Sequence, residues 1–174
     1  IQQFILFAAF GLRDAITPIM SYAFGMKSKK RIDDSIKFGS IYTTVIMFAG
    51  LAVIEIIANP LSSAFGLSGE TQLLCIGAMR IVSASFIFAG INIAFQGVFQ
   101  AINGGMQSLI VSVCRQLVFV LPLAWIFTVL VNKSICGEWI IWLSVPVAEI
   151  LSAVISVVLM KKLFQKQINN KTEA

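Results

Sequence analysis

Residues 11–34 read GLRDAITPIMSYAFGMKSKKRIDD, an apolar run that carries an arginine and an aspartate side by side and then breaks into four basic residues within five positions. Joined to the apolar residues before it, the run reaches about 26 residues, and a helix needs only about 20 to cross roughly 30 Å of hydrocarbon. A lysine-rich end is what a transmembrane helix shows where it leaves the bilayer on the cytoplasmic side. Arg13 and Asp14 lie 12 and 11 residues before Gly25, roughly 18 Å at the helical rise and therefore near mid-membrane. An ionised group there costs about 2.5 kcal/mol or more, so such residues face a bundle interior or a wet cavity and find partners. Neighbouring residues on a helix do not face each other, so each is expected to pair with a different helix. Pro18 removes one backbone hydrogen bond and frees the carbonyl of Asp14, which predicts a kink.

The rest of the chain repeats this pattern. Of its 174 residues 58% are hydrophobic and 12% charged, with a mean hydropathy of +0.91, well beyond an ordinary globular domain. Five stretches, about 1–26, 36–58, 71–101, 106–131 and 138–160, qualify as spans, and the connections KSKKRIDDS, NPLSSAFGLSGET, NGG and NKSICG hold helix-ending residues. The expected fold is an all-α integral membrane protein, a polytopic bundle of five antiparallel spans. A closed barrel needs alternation in segments of about ten residues, which is absent. Residues 1–163 make one transmembrane lobe and residues 164–174 a polar, frayed cytoplasmic tail. The opening IQQF has no basic leader or cleavage pattern and reads as the interior of a longer protein.

Basic residues cluster at 27–37 and again at Lys161, Lys162, Lys166 and Lys171, while residues 59–71 have none and Lys133 stands alone. This places segment 27–37 and the C-terminus in the cytoplasm, with Trp139 and Trp142 at the outer boundary of the last span. The net charge of +5 belongs to these loops and to anionic headgroups, not to a nucleic-acid partner. With no histidine and no CxxC pair, the three cysteines suit neither a zinc site nor a disulfide framework and read as packing residues. No cofactor is implied. Without a nucleophile motif, metal cluster or phosphate loop, an enzyme is not expected.

Polar residues inside the spans carry the functional signal. Asn92, Gln96 and Gln100 recur every four residues and project from one helix face, with Gly90 and Gly97 permitting close approach. They either line a cavity or bond helix to helix. Arg80 reads as snorkelling outward, and Glu55 as interfacial. Ser108, Ser112, Arg115 and Gln116 share a broad face before Pro122, with Arg115 as an anchor or gate ion pair. Glu149, central in its span and in line with Ser152 and Ser156, either carries a proton or a sodium ion or is locked to Arg13, Arg80 or Arg115. Long helices with sparse buried polar groups suit a moving bundle. A non-transporting scaffold is the alternative from a different class.

The runs GLRDAITPIMSYAFGMKSKKRIDDSIK, FQGVFQAINGGMQSLIVSVCRQLVFVLPLAW and WLSVPVAEILSAVISVV resemble the C-terminal half of multidrug and toxic compound extrusion (MATE) transporters over nearly the whole chain. The resemblance implies helices 8–12 of a twelve-helix protein whose N-terminal lobe, with one further helix, lies outside this sequence. It also implies export of small organic cationic or aromatic substrates across the cell membrane in exchange for sodium or protons. Arg13, Asp14, Asn92, Gln96 and Glu149 then line the substrate or ion pathway. Ala23 follows Tyr22 where the family commonly has asparagine, and residues 80–100, where the sodium-coupled branch carries an acid, hold none. Asp14 or Glu149 would substitute. A lipid-linked oligosaccharide flippase of the same superfamily is the runner-up.

Overall fold

A computed structural model describes residues 2–135 and 137–172, with side chains placed through residue 163. Cys136 lies outside the described residues. The helices are α1 (Gln2–Gly25), α2 (Lys29–Ala64), α3 (Gly69–Ser83), α4 (Phe86–Ala101), α5 (Gly105–Val113), α6 (Val120–Asn132) and α7 (Ser144–Thr172). A π-helical segment, Cys114–Phe119, joins α5 to α6, and a 3-10 segment, Glu138–Leu143, leads into α7. Among the described residues there is no strand.

Four helical stretches are long and apolar enough to cross a membrane: Gln2–Gly25, Lys29–Ala64, Gly105–Asn132 and Glu138–Leu163. The pair Gly69–Ser83 and Phe86–Ala101 makes a fifth, bent by 43°. The stretch 71–101, read from sequence as one helix, is therefore broken at Ala84–Ser85. Ser83 Oγ donates to the Arg80 carbonyl and Ser85 Oγ to the Val82 carbonyl, local bonds that compete with the helical ladder.

The basic stretch expected as a loop is mostly helix. Only Met26–Ser28 turns the chain, and α2 starts at Lys29. Lysine and arginine are good helix formers, and a 36-residue helix is about 54 Å long at 1.5 Å per residue. It overshoots the hydrocarbon and carries its charges into water. The tail expected to fray is also helical in its backbone, through Thr172.

At the middle of the bundle α4 packs against α1, α2, α5 and α7. Small residues make this possible: Ala89, Gly90, Gly97 and Ala101 of α4 are all buried. A Cβ on Gly97 would stand 2.6 Å from Arg13 Cγ, and one on Gly90 2.7 Å from Met47 Cγ. Two apolar clusters hold the lobe. One joins Leu6, Ala9, Met47, Ile54, Phe86, Ala89 and Ile93; the other joins Met20, Ala23, Ile32, Val98, Ala101 and Ile102.

Candidate functional site

Two polar groups sit between or beside these clusters. The first is on α1. Arg13 Nη2 approaches Asp14 Oδ1 at 2.7 Å, and Arg13 Nε donates to the same oxygen at 2.8 Å. The sequence pattern sent these two side chains to different helices. Helical geometry fixes where Cβ points, but the long arginine stem curls back and brings its head to its neighbour. The stem lies over Gly97, and the guanidinium carbon is 5.1 Å from the Phe10 ring centre, a cation–π distance. Beside it a cavity of about 20 Å³ is lined by Arg13, Thr17, Thr43, Gly97 and neighbours, room for one water. The Arg13 side chain is 19% exposed and that of Asp14 62%. Asp14 thus stands on the outer surface of the lobe, near the middle of an apolar helix.

The second group is interior. Asn92 of α4 donates through Nδ2 to Glu149 Oε2 at 2.8 Å and to the Glu149 carbonyl at 3.1 Å. Ser156 Oγ reaches both Asn92 Oδ1 (3.0 Å) and the Ser152 carbonyl (2.9 Å), so its single proton serves one acceptor at a time. From the π-helical segment Arg115 Nε comes within 3.2 Å of Glu149 Oε1. That contact lacks the alignment of a hydrogen bond, and Arg115 Nη1 and Ser152 Oγ are buried with no partner among the described residues. All five side chains are buried. A buried ion pair held by charge on one edge, with donors left open, is an arrangement that a change of packing can undo.

The wide turn explains how Arg115 reaches this place. Pro122 lacks an N–H and its ring crowds the carbonyl of Val118, inside Cys114–Phe119. Opening the ladder there to π spacing relieves the clash, and Arg115, within that segment, meets Glu149 of α7.

Of the residues singled out from sequence, the structure brings Asn92, Glu149 and Arg115 together and keeps Arg13 with Asp14. Gln96 is buried on α4, while Gln100, assigned to the same stripe, is exposed and donates to Ser108 Oγ at 3.3 Å. Arg80 does not simply snorkel: its Nε lies 3.1 Å from Glu55 Oε2, joining α3 to α2. Thr17 and Thr43, beside Arg13, gave no signal in the sequence because threonine is common in membrane helices. Among the described residues no group of three or more Cys, His, Asp or Glu side chains could hold a metal ion.

Residues 1–126 match the MatE family. The chain belongs to the MatE family. An uncharacterized protein of Mycoplasma genitalium is 31% identical over 142 residues, covering 78% of this chain and 25% of that protein. Among solved structures, the MATE multidrug transporter DinF-BH shares 26% identity at a TM-score of 0.78, over 92% of this chain and 35% of that one. A transporter of the MOP superfamily from Pyrococcus furiosus (19% identity, TM-score 0.81, 93% and 36% of the two chains) has the same fold. So does the MATE transporter VcmN of Vibrio cholerae (18%, 0.79, 94% and 36%). This MatE chain spans about a quarter of the length of the curated relative and about a third of the solved transporters. It is a multi-pass membrane bundle with the helix arrangement of MATE transporters.

Proposed function

We propose that this lobe belongs to a secondary transporter of the cell membrane that exports small organic cations in exchange for sodium ions or protons, working against a second lobe by alternating access. The observation that carries the reading is Asp14, a carboxylate 62% exposed near the middle of an apolar helix. In lipid that placement would cost a few kcal/mol, so the Asp14 face of α1 looks onto water or another part of the transporter. The family, and the likeness to a protein described as a MATE multidrug transporter, support the same assignment. In this reading Arg13 and Asp14 line the pathway. Asn92, Gln96 and Glu149 form the interior whose packing the coupling ion biases, with Arg115 as its anchor.

The test is efflux of a cationic dye from cells expressing the full-length protein, with the sodium and proton gradients collapsed separately. Collapse of one gradient should stop efflux and so name the ion. Asp14→Asn should lower efflux about tenfold, the kinetic equivalent of 1.4 kcal/mol, at unchanged protein level. Absence of dye efflux under both gradients would sink the reading in favour of a lipid-linked oligosaccharide flippase or a scaffold.

A further inference from the structure

Two reverse turns meet at one end of the lobe. The chain returns from α1 through Lys27 and from α4 through Asn103, and both residues hold left-handed backbone (φ 54° and 59°). Between the turns opens a cleft of about 470 Å³ lined by Ser21, Phe24, Gly25, Lys27, Gln100, Ala101 and Asn103. Among the described residues its lining holds an ammonium, two amides and a hydroxyl, and no carboxylate. Ser21 Oγ donates to the Thr17 carbonyl and Gln100 Nε2 to Ser108, whereas the Lys27 and Asn103 side chains make no hydrogen bond or ion pair among the described residues.

The surroundings are strongly basic. Lys27, Lys29, Lys30, Arg31 and Lys37 flank the first turn, and α7 brings Lys161 and Lys162 to the same end. Leu163 meets the second turn there, 2.9 Å from where a Cβ on Gly104 would stand. Among the described residues at this end, the carboxylates set against these seven cations are Asp33 and Asp34. Beside the second turn, Met106 and Leu109 of α5 are exposed apolar side chains, a surface that acyl chains can cover.

We propose that this cleft binds the phosphate of an anionic phospholipid headgroup, with Lys27 and Asn103 as its donors and the acyl chains along α5. Charge complementarity selects an anion. An ammonium beside amide donors suits phosphate oxygens, and the cleft's position between a basic rim and an apolar wall selects a lipid over a soluble phosphate. This goes beyond the transport reading and does not depend on it, because lipid retention needs no substrate movement.

The experiment is native mass spectrometry of the full-length protein released from nanodiscs of equal phosphatidylglycerol and phosphatidylcholine. One phosphatidylglycerol should stay bound in the wild type. Lys27→Gln should cut its retention about fivefold, the order expected for one basic contact at an anionic surface, and Asn103→Leu should lower it as well by removing an amide donor. Lys27→Arg keeps the charge and should retain the lipid, and Lys29→Gln with Lys30→Gln, which removes two charges outside the cleft, should leave retention intact. Equal loss in that double variant would overturn the proposal in favour of diffuse charge attraction. Displacement of the lipid by millimolar inorganic phosphate would overturn it in favour of a soluble ligand.

Discussion

Arg115 and Glu149 carry opposite charges into the buried seam between α4, α7 and the π-helical segment, so neither can be removed alone without leaving the other uncompensated. Breaking such a pair costs about 3–5 kcal/mol, while replacing both members by apolar side chains of similar size is often near neutral. Arg115→Met in the full-length protein should therefore lower the melting temperature in detergent, and adding Glu149→Met should restore most of it. Recovery of stability without recovery of dye efflux is the expected result, since the double variant keeps the packing and loses the charges that, in the proposed transport reading, respond to an ion. Equal destabilisation by the single and double variants would show that the pair is not coupled. The candidates were legible from sequence because an ionisable residue in an apolar run is expensive wherever it points. Their partners were not, since spacing gives a helix face but not which helix that face meets. Glu149 had three arginines to choose from, and only the fold selects Arg115. Arg13 and Asp14 were misassigned for a different reason: a rule about Cβ directions does not govern the head of a long side chain.

At the scale of elements, the contact between α1 and α4 depends on Gly97. A side chain there would meet Arg13 Cγ at 2.6 Å and Thr17 Oγ1 at 3.2 Å, neither of which is the free end of a flexible chain. Gly97→Val should cost about 1–3 kcal/mol, the range for forcing volume into a packed interface, and displace the arginine from its place over the helix. Gly77, on α3, has nothing within 4 Å of where a Cβ would stand, so Gly77→Ala should be neutral or stabilise by about 0.5–1 kcal/mol. Melting temperatures of the two variants in detergent check the pair of expectations, and a Gly97→Val protein as stable as Gly77→Ala would contradict them. Span existence was readable from length and apolarity, because those alone decide what lipid tolerates. The interruptions were not. Ser83 and Ser85 gave the break in the third span only a weak local signal. The π-helical turn had Pro122 as its single clue, and a proline predicts a defect without saying what shape it takes. The start of α2 was misread because basic residues mark a membrane boundary and form helix equally well.

For the whole molecule, orientation is fixed by where the charges end. The basic turn, the first turns of α2 and the last part of α7 lie at one end of the bundle, brought together by the packing of Ile36, Met160 and Leu163 against one apolar cluster. The connection after α6 carries Lys133 alone. Positive residues resist crossing, so the end with seven cations should be cytoplasmic and Lys133 external. Single cysteines placed at Lys30 and Lys133, both exposed, test this in the full-length protein once Cys75, Cys114 and Cys136 are replaced. A membrane-impermeant maleimide should label Lys133→Cys in intact cells and reach Lys30→Cys only after permeabilisation. The reverse pattern would invert the lobe and turn the basic cleft away from the cytoplasmic leaflet, where anionic headgroups make its charge favourable. If the cations lie inside, the orientation and the proposed lipid site are linked through one physical quantity: the negative potential of the cytoplasmic leaflet that attracts the basic end would also favour an anionic headgroup in the cleft.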